Sequence, residues 1–138
     1  MRTDNPSTSA IVLGPADPVD PSWYDSRVYS WAYRAARSGQ ACSDQVARIA
    51  VALVRNAHQH TRSGSPRGTV EVTVTRDRFQ VQVTVTDNGA DQGADGWYPF
   101  PRARPHGGGL RLVERLSLYW DWAGGAGLPI TVRALVDR

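Results

Sequence analysis

Three groups of residues in this sequence are of types that bind ligands, and each stands on or beside a predicted element. Asn56 lies on a helical pattern, and its side-chain amide offers a neutral oxygen that a hard cation such as Mg²⁺ can use. Asp87 follows an alternating strand in the sequence Asp-Asn-Gly, where its carboxylate can accept a hydrogen bond from an amine. Gly107 and Gly109 precede a helical pattern, and the free N–H groups of a helix N-terminus bind anions.

Each group also has a purely structural explanation. Asn56 falls at the edge of an apolar helix face, where a solvated polar residue is ordinary. Asp-Asn-Gly is a strong turn signal, so Asp87 can form an Asx turn, and a run of three glycines is typical of a flexible linker. His58 and His60 do not indicate a metal site, because residues two apart on a helix do not face each other.

The elements that must position these residues follow from hydrophobic periodicity. Residues 44–60 carry apolar side chains on one helical face, and residues 69–75 and 79–86 alternate as an antiparallel hairpin with one buried face that includes Phe79. The predicted helices are residues 23–38, 44–60 and 110–116, and the predicted strands are residues 10–13, 69–75, 79–86, 118–122 and 130–136.

The expected fold class is α/β in the broad sense of helices packed on a sheet, and α+β in the narrower one. It is a two-layer sandwich with a mostly antiparallel, mixed sheet that helices cover on one face. Ser22 is the predicted N-cap of the first helix and Gly39 its predicted C-cap, and Ser43 or Asp44 caps the second helix. We expect residues 1–21 to be a flexible segment with a short edge strand, and residues 22–138 to form a single domain.

The order of these features resembles the ATP-binding superfamily of gyrase, heat-shock chaperones, histidine kinases and mismatch-repair ATPases. The shared pattern is a helical Asn-Ala at residues 56–57, a strand that runs into Asp-Asn-Gly at residues 87–89, a long loop at residues 90–106, and Gly-Gly-Gly-Leu opening a helix at residues 107–110. The compact size is most similar to the bacterial anti-sigma-factor serine/threonine kinases. The resemblance covers roughly residues 44–136 and implies a Bergerat-type, histidine kinase-like ATPase fold.

The resemblance implies that ATP or ADP binds together with Mg²⁺. The residue matching Asn56 bridges Mg²⁺ and phosphate in this superfamily, the one matching Asp87 accepts from the adenine amine, and residues 90–106 match an ATP lid. The nucleotide-binding residues that the resemblance implies are Asn56, His60, Asp87, Gly89, Gly107, Gly108, Gly109 and Leu110.

One position departs from the family pattern. Active relatives usually carry a Glu or Asp one helical turn before the Asn, and it acts as the general base. Here that position is Ala52, which can neither accept nor relay a proton. Arg55 can stabilise phosphate charge but cannot act as a base. We therefore expect a protein that binds nucleotide and turns it over poorly.

Composition excludes several classes of function. The net charge is +3 and no long basic run is present, so the sequence does not indicate a nucleic-acid-binding protein. No apolar run approaches the length of a membrane span. Cys42 is the single cysteine, so no internal disulfide can form. With no signal-peptide core in the first residues, these features predict a cytoplasmic protein.

Three hypotheses remain open at this point. The first is an ATP-binding regulatory protein of the anti-sigma kinase-like type with weak catalysis. The second is an active serine/threonine kinase that uses another base, and the third is an interaction module that does not bind nucleotide. The resemblance also implies a regulatory protein partner, such as a sigma factor or an anti-anti-sigma-like protein, or a homodimer. An aromatic stripe at helical spacing is more typical of a core, but the first helix of this family often lies near a partner, so the helix at residues 23–33 is the surface to test for such an interface.

Overall fold

The computed structural model describes residues 6–15, 17, 19–20, 22–60, 68–88, 108–124 and 128–138. Within these residues the chain forms three helices and five strands, which confirms the α+β class. The helices are α1 (Asp25–Ala36), α2 (Gln40–His60) and α3 (Gly108–Leu116). The strands are β1 (Ser7–Leu13), β2 (Val70–Arg76), β3 (Gln80–Thr86), β4 (Tyr119–Ala123) and β5 (Thr131–Asp137).

The five strands form one sheet in the order β1-β2-β3-β5-β4. All four pairings are antiparallel, so the described sheet is not mixed, and this part of the prediction is wrong. The predicted edge strand is present and begins at Ser7, three residues before the predicted start. The segment preceding residue 22 therefore contributes a full edge strand to the sheet, with every residue of β1 paired to β2.

The two faces of the sheet differ in the way that the alternation predicts. Side chains on one face are buried, and α2 packs on β2, β3 and β5 from that side. The buried strand residues are Leu13, Val70, Val72, Val74, Val81, Val83, Val85, Val132, Ala134 and Val136. The opposite face carries threonines that bond to each other across strands, as in the 2.9 Å contact between the Thr86 and Thr131 hydroxyls. The described chain is thus a two-layer structure with one apolar interior.

α2 is the central helix of the helical layer, since both α1 and α3 pack against it. Ile49 and Leu53, one turn apart, are at most 2% exposed. On the strand side they meet the valines of β2 and β3 in one continuous core. This burial, rather than the helix's own propensity, supplies most of the stability of α2.

The predicted caps of α1 are both wrong. Tyr24 is the N-cap residue and makes no side-chain capping bond. Ser22 instead bonds to the Asp20 carboxylate through its N–H and its hydroxyl. At the other end Arg37, not Gly39, adopts the left-handed conformation with φ 46°.

The second helix also starts earlier than its predicted caps. α2 begins at Gln40, and the Ser43 N–H bonds to the Gly39 carbonyl as the helix's first turn closes. The Ser43 hydroxyl donates to the Ser38 carbonyl at 3.1 Å, so it ties the helix to the preceding turn. Asp44 lies within the helix and accepts a hydrogen bond from the Tyr29 hydroxyl at 2.6 Å.

Two apolar residues predicted on strand faces are exposed. Phe79 is 72% exposed and Leu118 is 65% exposed. Each lies just before its strand, since β3 begins at Gln80 and β4 at Tyr119. Neither residue therefore shares the buried face of the strand that it precedes. In the described part of the chain, no helix is both long enough and apolar enough to cross a membrane.

Candidate functional site

The strand register gathers one set of strand ends at a single end of the sheet. Leu13 pairs with Val70, Thr86 pairs with Thr131, and Ala123 also pairs with Thr131. β1, β3 and β4 therefore finish where β2 and β5 start. We call this the distal end of the sheet, since the β2–β3 hairpin closes the opposite end.

α2 runs from the hairpin end to the distal end. Near its start, the Ser38 hydroxyl lies 3.4 Å from the guanidinium of Arg138, which also donates to the hairpin carbonyl of Asp77 at 2.7 Å. Near its finish, His58 Nε2 donates to the carbonyl of Gly14, directly after β1, at 3.0 Å. The 21 residues of α2 span about 31 Å, whereas a seven-residue strand spans about 23 Å. The turns around Asn56 therefore stand over the distal end.

Asp87 lies at the distal end as the residue directly after β3. It is 5% exposed, and it exchanges two hydrogen bonds with Ile130. The Asp87 N–H donates to the Ile130 carbonyl at 2.9 Å, and the Ile130 N–H donates to Asp87 Oδ1 at 3.3 Å. Because a buried carboxylate is costly unless it has donors, this placement suits a residue that also meets a ligand amine.

Asn88 has a bracing role that the sequence did not reveal. Its Oδ1 accepts from the Thr69 N–H at 2.7 Å, and its Nδ2 lies 3.3 Å from the Thr69 hydroxyl. These two contacts join the end of β3 to the residue before β2. Asn88 thus fixes the backbone that carries Asp87, and no local pattern identifies its partner 19 residues away.

Asn56 and Ala52 lie one helical turn apart on α2, on the same side of the helix. Asn56 is half-buried and Ala52 is 7% exposed. Side chains on a helix tilt toward its N-terminus, so the Asn56 amide leans toward position 52. Ala52 itself belongs to the buried core cluster.

The start of α3 carries backbone N–H groups that have no partner within the helix, as every helix N-terminus does. Its last turn is closed by Ser117, which bonds to the Val113 carbonyl through its N–H at 3.0 Å and its hydroxyl at 2.6 Å. Leu118 then bonds to Leu135, near the hairpin end, at 2.7 Å. α3 begins at Gly108 and packs against α2, so it belongs to the same helical layer as Asn56.

The remaining predicted residues differ in how far the structure describes them. Gly108 and Gly109 form the first turn of α3, and Leu110 is 4% exposed in the core. His60 is the last residue of α2, and its side chain lies outside the described residues. Outside them too are Gly89, Gly107 and the predicted lid at residues 90–106.

His58 makes structural contacts in the described fold. Its ring lies against Tyr24, with centroids 5.5 Å apart, and its Nε2 donates a hydrogen bond to the Gly14 carbonyl. Among the described residues no group of three or more His, Cys, Asp or Glu side chains is placed to hold a metal ion. Burial lowers the pKa of His58 below its usual 6.5, and the hydrogen bond to Gly14 partly opposes this shift.

We expect the free energy of unfolding to decrease in mild acid because of His58. The unfolded chain takes up a proton near pH 6.5, whereas the folded chain takes it up only at its lower pKa. The stabilisation by neutral His58 is complete above the pKa of its ring in the unfolded chain. It is lost as the pH falls through the pKa of the same ring in the folded chain. Urea unfolding at about pH 8 and about pH 5.5 measures the loss. The His58→Gln variant keeps a donor but does not titrate, so its pH dependence should be shallower, and equal slopes would contradict the assignment.

Arg55, one residue before Asn56, is held by α1. Its Nε donates to Asp25 Oδ1 at 3.1 Å, and its second guanidinium nitrogen bonds to the other carboxylate oxygen. The sequence analysis considered Arg55 as a residue that could stabilise phosphate charge. In this structure its guanidinium pairs with Asp25. The 30-residue separation of this pair gives no local signal in the sequence.

The residue types near the distal end are ones that a magnesium–nucleotide complex could use. Mg²⁺ takes one or two protein oxygens and fills its other positions with water and phosphate oxygens, and the Asn56 amide could supply one such oxygen. Asp87 carries a carboxylate, and the start of α3 carries free N–H groups of the kind that bind anions. No protein-family model matches this chain, and no curated protein sequence matches it significantly.

Proposed function

We propose that this protein is an ATP-binding regulatory protein similar to the anti-sigma-factor serine/threonine kinases, with weak catalysis. The observation that carries the proposal is the placement of Asn56 and Asp87, which come from α2 and β3 to the same end of the sheet. Residues 31 positions apart in the chain thereby serve one site. The start of α3 is the third component of the proposed site.

Each component has a separate task in this proposal. The Asp87 carboxylate accepts the hydrogen bond of the adenine amine, and the Asn56 amide oxygen meets the Mg²⁺ that the nucleotide carries. The N–H groups at the start of α3 meet the phosphates. Bound Mg²⁺ supplies charge neutralisation at the phosphates. Ala52 supplies no base beside them, so the bound nucleotide acts as a signal for a partner rather than as a rapidly consumed substrate.

The partner in this proposal is a regulatory protein of the sigma-factor or anti-anti-sigma type, or a second copy of this chain. α1 is the surface that supports it. Trp23 is 48% exposed just before α1, and the Arg27 guanidinium lies 5.1 Å from its ring. Tyr29 and Tyr33 are only partly buried and stack on each other with centroids 6.0 Å apart. Exposed or half-exposed aromatic and Arg side chains on one helix are typical anchors of protein interfaces.

We expect Mg-ATP to bind the purified chain and the Asp87→Asn variant to bind it about 5- to 150-fold more weakly, equivalent to roughly 1–3 kcal/mol. Asparagine keeps an oxygen for the Ile130 N–H, so the backbone pairing survives while the charge on the adenine acceptor is lost. Isothermal titration calorimetry with ATP, ADP and GTP measures the effect.

The matched control is Asp121→Asn. Asp121 is a carboxylate of β4 that faces away from the helices and pairs with Arg133. Its replacement should leave nucleotide affinity unchanged. If the unaltered chain gives neither binding heat nor a thermal shift at millimolar ATP, the proposed function is wrong.

A further inference from the structure

Two side chains near the end of α2 are held by residues that precede or begin α1. Arg55 pairs with both carboxylate oxygens of Asp25, with a distance of 3.1 Å from Nε to Oδ1. His58 donates to the Gly14 carbonyl at 3.0 Å, and its ring lies against Tyr24. We call Gly14, Tyr24 and Asp25 together the α1 clamp. The clamp also packs against itself, since a Cβ at Gly14 would lie 3.3 Å from the Tyr24 hydroxyl.

The clamp holds α2 from a side different from the one that carries Asn56. Arg55 and His58 are three residues apart and so share one face of the helix. Asn56 is about 100° further round the helix than Arg55 and lies on the side of Ala52. The α1 clamp can therefore set the rotation of the last turns of α2 without occupying the space beside the Asn56 amide.

We propose that Arg55 and His58 are positioning residues: the α1 clamp fixes the last turns of α2 and thereby the Asn56 amide oxygen that meets the nucleotide's Mg²⁺. This inference rests on the proposed function and assigns a role to residues outside the predicted site. Asp87 is held independently, by its backbone and side-chain bonds to Ile130. The clamp thus controls the phosphate and cation end of the site and leaves the adenine end unaffected.

A direct contact between Arg55 and phosphate is the competing explanation, and it makes the opposite prediction for one variant. If Arg55 bound phosphate, Asp25→Asn would free the guanidinium and tighten Mg-ATP binding. If Arg55 positions α2, the same change loosens the helix end and weakens Mg-ATP binding. Asp25→Asn removes the carboxylate charge with little change in side-chain shape. Its effect on Mg-ATP affinity therefore separates the two explanations.

The experiment measures the dissociation constants of Mg-ATP and of adenosine for the full chain and its variants. For Asp25→Asn and for His58→Leu we expect the constant for Mg-ATP to rise about threefold to tenfold, a modest change because the ion pair is partly exposed. The constant for adenosine should stay within about twofold of the original, because Asp87 is not held by the clamp. His58→Gln restores a donor toward Gly14 and should recover much of the Mg-ATP affinity.

The Arg133–Asp121 pair provides a matched control. Its side chains are 47% and 32% exposed, against 53% and 28% for Arg55 and Asp25. The Arg133 Nε also lies 3.1 Å from a carboxylate oxygen of its partner. Asp121→Asn removes an equivalent ion pair from the opposite face of the sheet. We expect it to change neither dissociation constant.

The outcomes distinguish the inference from the proposed function. Failure of the unaltered chain to bind either ligand overturns both. If that chain binds Mg-ATP and Asp25→Asn binds it equally or more tightly, the positioning role is wrong while the proposed function stands. Equal weakening of Mg-ATP and adenosine would show that the clamp only stabilises the fold, and this result also overturns the positioning role.

Discussion

Replacing Ala52 by Glu is expected to raise ATP turnover by about 10²- to 10⁴-fold, the usual contribution of a positioned general base. Under the proposed function, position 52 borders the phosphate end of the site, because it lies one turn before Asn56 on the same side of α2. The environment is largely dry, since Ala52 is 7% exposed. Burial raises the pKa of a carboxyl group and brings it nearer to neutral pH, where a general base works best.

Two further variants make this result interpretable. Ala52→Gln has nearly the same shape as Ala52→Glu but cannot take up a proton from water, so it should remain as slow as the unaltered chain. Asn56→Ala should abolish turnover in either background and measures contaminating ATPase activity. Rapid turnover by the unaltered chain that disappears in Asn56→Ala would show that the protein is an active enzyme with a different base. Equal rates for the Glu and Gln variants would show that position 52 does not border the reacting phosphate.

The second large effect concerns the core face of the same helix. Leu53→Ala is expected to lower the free energy of unfolding by about 2–5 kcal/mol, because it removes buried methyl groups and leaves a cavity. Leu53 is 2% exposed and packs with the strand valines. Urea denaturation followed by circular dichroism measures the loss.

Asn56→Ala is the matched substitution three residues further along α2, at the half-buried edge of the same face. Asn56 is half-buried, and alanine has the higher helix propensity, so its replacement should change the unfolding free energy by less than about 1 kcal/mol. A loss below about 1 kcal/mol for Leu53→Ala would contradict the central place of α2 in the core. The pair of results would separate the buried centre of this helix face, which stabilises the fold, from its edge, which carries the candidate site.

Hydrophobic periodicity is enough to predict the features of this fold that are local. The alternation of valines in β2 and β3 predicts a hairpin with one apolar face, and the structure has that hairpin with Val72, Val74 and Val83 fully buried. The helical period of α2 likewise predicted which residues enter the core. These features are local because a residue's direction along a helix or strand is fixed by the backbone repeat alone.

The residues at which helices begin and end were predicted less accurately than the helices themselves. Capping residues are interchangeable wherever the backbone or a neighbouring turn can satisfy the terminal N–H and carbonyl groups. Tyr24 begins α1 without a side-chain cap, and Arg37 takes the left-handed position that Gly39 was predicted to supply. Such choices depend on how the next helix leaves the turn, which no single cap signal encodes.

The contacts between residues of different elements depend on how the whole chain folds. The strand order places β5 between β3 and β4, and this order brings Ile130 beside Asp87. The partners of His58 and Arg55 lie 44 and 30 residues earlier in the chain, so no pattern within one element indicates them. The residue types of the candidate site can be read from the sequence, but their common location at the distal end follows from sheet register and helix packing. These depend on the complementary shapes of side chains far apart in sequence, which local periodicity does not specify.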